Sequence, residues 1–212
     1  MALPSNKLIT INDRGARTAT TFGSLSQGGA NMVFIKKLTA SSSATLSFVD
    51  GASSVVLDDT YKEYVFTFNN MHPATDNVNF SFNVSIDGGS NYNVAKTTTA
   101  FQSLHDEAGS ATTLGYAAGY DLAQGTGVQI LTDATGNDND QCMTGYLHLF
   151  NPSSTTFVKH FIAVTNNTLY HDYTFQLHTA GYANTTSAVD AIQFKFASGN
   201  IDAGNICLYG IL

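Results

Sequence analysis

The sequence predicts an all-β chain: an antiparallel β-sandwich of jelly-roll-like form, preceded by an extended N-terminal arm. Three observations carry this. First, Thr, Asn, Ser and Gly number 26, 18, 18 and 18 of 212 residues, and these residues favour strands and turns over helix interiors. Second, short apolar-polar alternations recur along the chain, separated by Gly-, Asn-, Asp- and Pro-containing turns. Third, charged residues make up only 12%, about half the usual share, which excludes a coiled coil or a charged helical bundle. With 43% hydrophobic residues the chain can still fill a core.

Residues 1–37 read as an anchoring arm and 38–212 as the sandwich. Lys7 to Ile11 has the makings of one short strand, and 12–31 is poor in apolar anchors. Met32 to Leu38 is a compact apolar run, Ala44 to Val49 alternates around Leu46 and Phe48, and Glu63 to Asn69 places Tyr64, Phe66 and Phe68 on one face. Val78, Phe80, Phe82, Val84 and Ile86 alternate strictly with polar residues, which predicts a half-buried strand with one wet face. Asp87-Gly88-Gly89-Ser90 closes it.

The one stretch compatible with a short helix is Thr99 to Ala108. Gly109 to Asn139 reads as a long loop region around a strand at Val128 to Leu131. Further strands follow at Gly145–Phe150, Phe157–Thr165, Tyr173–Thr179, Ala191–Phe196 and Gly204–Leu212. Many short alternating strands indicate a sandwich or barrel.

The net charge of −7 is unevenly placed. Residues 1–37 hold Lys7, Arg14, Arg17, Lys36 and Lys37 against Asp13, whereas 38–212 hold four lysines against fifteen acids. An acidic body argues against a general nucleic-acid binder, because phosphate contacts need clustered cations. The basic segment is the place for an acidic partner surface to dock. No apolar run is long enough to cross a membrane as a helix, and the first ten residues lack a signal-peptide core, so assembly in a cytoplasm is expected. Cys142 and Cys207, without a CxxC pair, read as two reduced core thiols.

Catalytic motifs are absent: no GxSxG, HExxH, Walker loop or GxGxxG after a strand. No cofactor and no metal is expected. The six histidines are scattered singly. Asp133 to Asp140 is the best calcium candidate, although it fails the EF-hand spacing and a solvated acidic turn explains it better. His105-Asp106-Glu107 are sequence neighbours that rarely converge for acid-base work. Tyr92, Tyr116, Tyr120, Tyr170 and Tyr182 lie near Gly, Asn or Asp in expected loops. Rings beside amides and carboxylates suit carbohydrate, and Tyr116, Tyr120, Tyr170 and Tyr182 are the candidate glycan contacts. The plainer alternative is that they anchor loops to the sandwich.

The ending Ser187 to Ile211, SAVDAIQFKFASGNIDAGNICLYGI, resembles that of tailed-bacteriophage virion proteins. Ser198-Gly199-Asn200-Ile201 and Leu208-Tyr209-Gly210-Ile211 carry the likeness, with similar stretches at Tyr61 to Asp76 (YKEYVFTFNNMHPATD) and Phe150 to Thr155 (FNPSST). The resemblance covers roughly 46–212. It implies an exterior virion protein with a β-sandwich or jelly-roll body, usually oligomeric, found among tail fibres and other surface proteins. The expectation is therefore a non-enzymatic tail or fibre subunit on the particle exterior. Lys7, Arg14 and Arg17 would contact other virion proteins, and host-surface glycan is a candidate ligand. A homo-oligomer is expected, a trimer favoured, with no nucleic acid and no membrane insertion. The alternative is a capsid decoration protein stabilising the head shell. The third reading, a fibre-borne carbohydrate-active enzyme, needs two convergent carboxylates about 5–10 Å apart.

Overall fold

The structure is a computed structural model and describes residues 31–212. The expected strand at 7–11 and the expected contacts Lys7, Arg14 and Arg17 lie outside the described residues. Twelve strands follow in order: β1 (Met32–Thr39), β2 (Leu46–Val49), β3 (Glu63–Pro73), β4 (Phe80–Ser85), β5 (Lys96–Asp106), β6 (Thr112–Tyr116), β7 (Gln129–Ile130), β8 (Met143–Phe150), β9 (Lys159–Thr168), β10 (Tyr173–Ala183), β11 (Ala191–Phe196) and β12 (Ile201–Ile211). No helix occurs among the described residues. The chain is an all-β antiparallel sandwich, as its alternation predicts.

One sheet has eight strands in the order β1-β12-β3-β8-β9-β10-β5-β6, and the other has four in the order β2-β11-β4-β7. Setting aside β5, β6, β9 and β10 leaves eight strands. The first, eighth, third and sixth of these form one sheet, and the second, seventh, fourth and fifth form the other. That is the double Greek key of a jelly roll. The four remaining strands come from two insertions, β5–β6 between β4 and β7 and β9–β10 between β8 and β11. They pair with one another and widen the larger sheet beyond β8.

The main core lies between the jelly-roll sheets. Phe194 of β11 is fully buried and meets Phe48, Phe66, Phe68, Phe80 and Phe82, with ring centroids 5.2–6.3 Å apart. A four-stranded sheet is too narrow to cover eight strands, so the added strands bury their inner face differently. Ala100, Phe175 and Leu177 pack with Ala117, Ala134 and Leu169, and Tyr120 and Ile130 lie against them. The stretch 117–136 thus roofs a second, smaller core.

Several expectations are corrected. Thr99 to Ala108 is no helix: Lys96–Asp106 is a strand that pairs with β10 along its whole length, where its three consecutive threonines suit a pleated backbone. The division at residue 37 falls inside β1, which pairs with β12 from Met32 to Thr39. The body therefore begins at about residue 31. The loop region 109–139 also contains β6 as well as β7.

The wet face expected of β4 is dry. Ser81, Asn83 and Ser85 are buried, because Asn83 Nδ2 donates to the carbonyls of Thr126 and Gly127 and Ser81 donates to that of Lys195. Near the start of β12, Gly204 has φ +106 at a register irregularity. A Cβ there would sit 2.4 Å from the Asn70 carbonyl oxygen, so only glycine lets the two strands stay paired.

Candidate functional site

The most distinctive surface is the outer face of the widened sheet. Alternation along β8 and β9 sends Leu147, Leu149, Phe161 and Ala163 into the core and leaves Tyr146, His148, Ile162 and Val164 facing out. Register then aligns these with residues of the added strands. One row runs Tyr146, Val164, His178, Phe101, Tyr116, and the next runs His148, Ile162, Ala180, Thr99. The Phe101 and His178 rings stack at 4.5 Å and 11°.

Five large side chains on this face are strongly exposed: Leu114 at 78%, Tyr116 at 61%, Phe101 and Ile162 at 48% and Tyr146 at 41%. No outward position on β8, β9, β10, β5 or β6 carries Lys, Arg, Asp or Glu, although the body has fifteen acids. Exposed large apolar residues are ordinarily scattered singly, and here five share one sheet face. Depletion of charge with enrichment of aromatics is the compositional mark of an interface core.

The face is not smooth. A groove of about 540 Å³ is lined by Ile162, the aromatic pair His160–Tyr182, Thr99, Gly181 and Phe150, and a smaller recess of about 90 Å³ is lined by both Phe101 and Ile162. On the other side of the Phe101–His178 stack lies a hollow of about 230 Å³ lined by Ser103, His105, Asn166, Thr174 and Gln176. Asn166 Nδ2 is already committed to Thr174 Oγ1 and the Phe175 carbonyl.

The four candidate tyrosines are not brought together. Tyr116 and Tyr182 stand on strands β6 and β10 rather than on loops, and both face outward on the widened sheet. Tyr116 Oη donates to Asp121 at 2.5 Å, which pushes the phenol's pKa up. Tyr182 lines the groove, four residues along β10 from His178 and so roughly 13 Å away along the strand. Tyr120 packs edge-on against Phe175, and burial raises its pKa; it anchors a loop. Tyr170 is exposed in the β9–β10 turn, its ring against His171.

The acidic residues also find separate uses. Asp106 holds the β5–β6 turn by accepting from the Ser110 hydroxyl and from the Ser110 and Ala111 amides; these bonds, with the Ser110 hydroxyl first, lower its pKa. His105 Nδ1 contacts the Asp106 carbonyl rather than a carboxylate. Glu63 of β3 engages His148 of β8. Register puts Glu63 at the end of the sheet where β5 begins, and Glu107 follows the other end of β5, so the offset along the strands alone holds the two glutamates roughly 30 Å apart, with four strand spacings besides. In the 133–140 segment the Asn137 amide donates to Asp76, and the Asp138 carbonyl contacts His72. Among the described residues no three His, Cys, Asp or Glu side chains cluster as a metal site. Cys142 and Cys207 are both free thiols, the former raised in pKa by burial.

Sequence reasoning passed over Phe101, Tyr146, Ile162 and His178. A partial signal was present in β8 and β9, whose outward positions carry Tyr146, Phe150, Ile162 and Val164 among polar residues. Comparison with protein-family models, with curated proteins and with solved structures finds no match to this chain.

Proposed function

We propose that the protein is a non-enzymatic structural subunit on the exterior of a tailed-bacteriophage virion, in the tail or fibre apparatus, anchored through its basic N-terminal segment. The observation that carries this reading is the widened sheet: a rigid jelly roll presents one broad face whose strand positions carry no Lys, Arg, Asp or Glu, with Phe101, Leu114, Tyr116, Tyr146 and Ile162 exposed among threonines, histidines and amides. Such a surface is built for contact with another macromolecular surface rather than for moving protons. The likeness of the Ser187–Ile211 ending to phage virion proteins points the same way. So does the architecture, since jelly rolls recur in viral capsid and lectin domains, although that is analogy of fold and leaves the site to decide.

Within this reading Lys7, Arg14 and Arg17 supply an electrostatic contact to an acidic virion partner. The body, with fifteen acids against four lysines in 38–212, repels that same partner and projects. Glycan contact is not required, because the tyrosines that prompted it are divided among the sheet face, a loop anchor and a turn.

The test is localisation and copy number on purified particles, by cryo-electron microscopy and quantitative mass spectrometry against the major capsid protein. A handful to dozens of copies at the tail supports the reading. Hundreds of copies over the head lattice would recast the chain as a decoration protein. Absence from particles removes both.

A further inference from the structure

We propose that the outer face of β8, β9, β10, β5 and β6 is the surface on which a second copy of this chain docks, face to face about a two-fold axis. The inference rests on the structural-subunit reading for its setting, but solution mass decides it and particle localisation decides the other.

Charge selects the occupant. The 38–212 body carries fifteen acids and four lysines, so two copies repel through most of their surface. The five strands have no Lys, Arg, Asp or Glu at any outward position; carboxylates reach the face at its two margins, Glu63 at His148 and Asp121 at Tyr116, so its middle is where two like-charged bodies approach with the fewest like charges opposed. A partner rich in cations would gain nothing from this face.

Size agrees. Five strands spaced about 4.8 Å apart, the longest running ten or eleven residues, span roughly 24 Å by 30 Å, on the order of 700 Å². Stable interfaces bury about 800 Å² per partner.

Shape agrees as well. A two-fold contact pairs a patch with itself, so the patch must carry both a projection and its recess. Here the exposed Phe101 and Ile162 side chains line a small recess over Ala180, and Ile162 also borders the larger groove at Thr99, Ala180 and Gly181. In the pair, an exposed apolar side chain of each copy enters a recess of the other. The trimer favoured from the sequence needs two different surfaces per subunit, and one face with its own projecting side chains and recesses fits a pair better.

The experiment is multi-angle light scattering with sedimentation velocity on the full 212-residue chain between 1 and 100 µM, at moderate salt. The expected mass is twice 22.6 kDa. Phe101→Asp and Ile162→Asp alter exposed positions, so the fold should survive, checked by circular dichroism and thermal melting. Each is expected to raise the dimer dissociation constant at least 30-fold. Phe157→Asp, at an exposed apolar residue outside the face, should leave the mass unchanged. A monomeric wild type at 100 µM, a trimer, or a dimer indifferent to both face variants overturns the proposal. A monomer that binds glycans through Tyr182 would give the face to carbohydrate instead, and overturns it too.

Discussion

Lys96 offers a quantitative test of the energetics. It lies at the start of β5 with its side chain fully buried, and its Nζ donates to Asn83 Oδ1 at 2.6 Å and to the Val94 carbonyl at 2.9 Å. No carboxylate among the described residues accompanies it, and burial pulls its pKa from 10.5 to about 8. That difference corresponds to about 3 kcal/mol by which the folded state is penalised while the lysine is charged. The unfolded chain holds the proton up to its ordinary pKa and the folded chain releases it near 8. Between these values the unfolded state binds more protons, so stability rises with pH, by up to about 1.4 kcal/mol per pH unit.

Tyr64 and Tyr120, raised by burial, act in the opposite sense above pH 10 or so, and Cys142 does so somewhat lower. The comparison must therefore be with a variant that lacks only this lysine. Lys96→Met keeps the length and removes the charge. Asn83 Oδ1 keeps the Val84 amide as donor, while the Val94 carbonyl loses its Nζ partner, a loss of about 1–2 kcal/mol. The variant is expected to be about 1–2 kcal/mol more stable at pH 7, with the gap closing by pH 9.5. Urea unfolding followed by far-ultraviolet circular dichroism at pH 7, 8, 9 and 9.5 measures it. Parallel stability profiles for the two proteins would refute the reasoning.

Phe194→Ala removes the ring shared by five others in the main core, and urea unfolding should show a loss of about 3–5 kcal/mol. Gly204→Ala forces a Cβ against the Asn70 carbonyl at positive φ, so a loss of about 1–3 kcal/mol is expected, visible as a lowered melting temperature; an unchanged melt would mean that the register irregularity relaxes. Replacing Lys7, Arg14 and Arg17 together with Gln should leave the melt of the body unaltered and lower incorporation into particles several-fold, read by quantitative mass spectrometry. Equal incorporation would dissociate the basic segment from anchoring.

What could be read in advance follows from locality. Strands such as β3, β10 and β11 declare themselves because inner and outer residues alternate within a few positions, as with Phe194 and Phe196 around Lys195. β5 was obscured because most of its outward side chains are polar, and its inner face meets a loop rather than a sheet; Lys96 at its head is buried and contradicts its residue type. β7 has two residues and offers no period at all. The exposed face was missed for a different reason. Phe101 and Ile162 meet only through β10, so their adjacency depends on register between strands that are distant in sequence. The four tyrosines share a local composition, yet three different surroundings separate them.

The widening of the sheet also fixes an order of events during synthesis. Among the described residues β5 and β6 attach to the sheet only through β10, which ends 67 residues after β6, at Ala183. At about 5–20 residues per second, a ribosome needs roughly 3–13 s to make that stretch. During this interval the β5–β6 hairpin, carrying Phe101, Leu114 and Tyr116, has no neighbouring strand to join. β1 waits longer still, because its only partner among the described residues is the last strand to emerge. The nascent chain thus holds its stickiest hairpin unpaired until the β9–β10 hairpin arrives. Pauses placed between codons 116 and 183 should lower the yield of native protein more than pauses placed after 183.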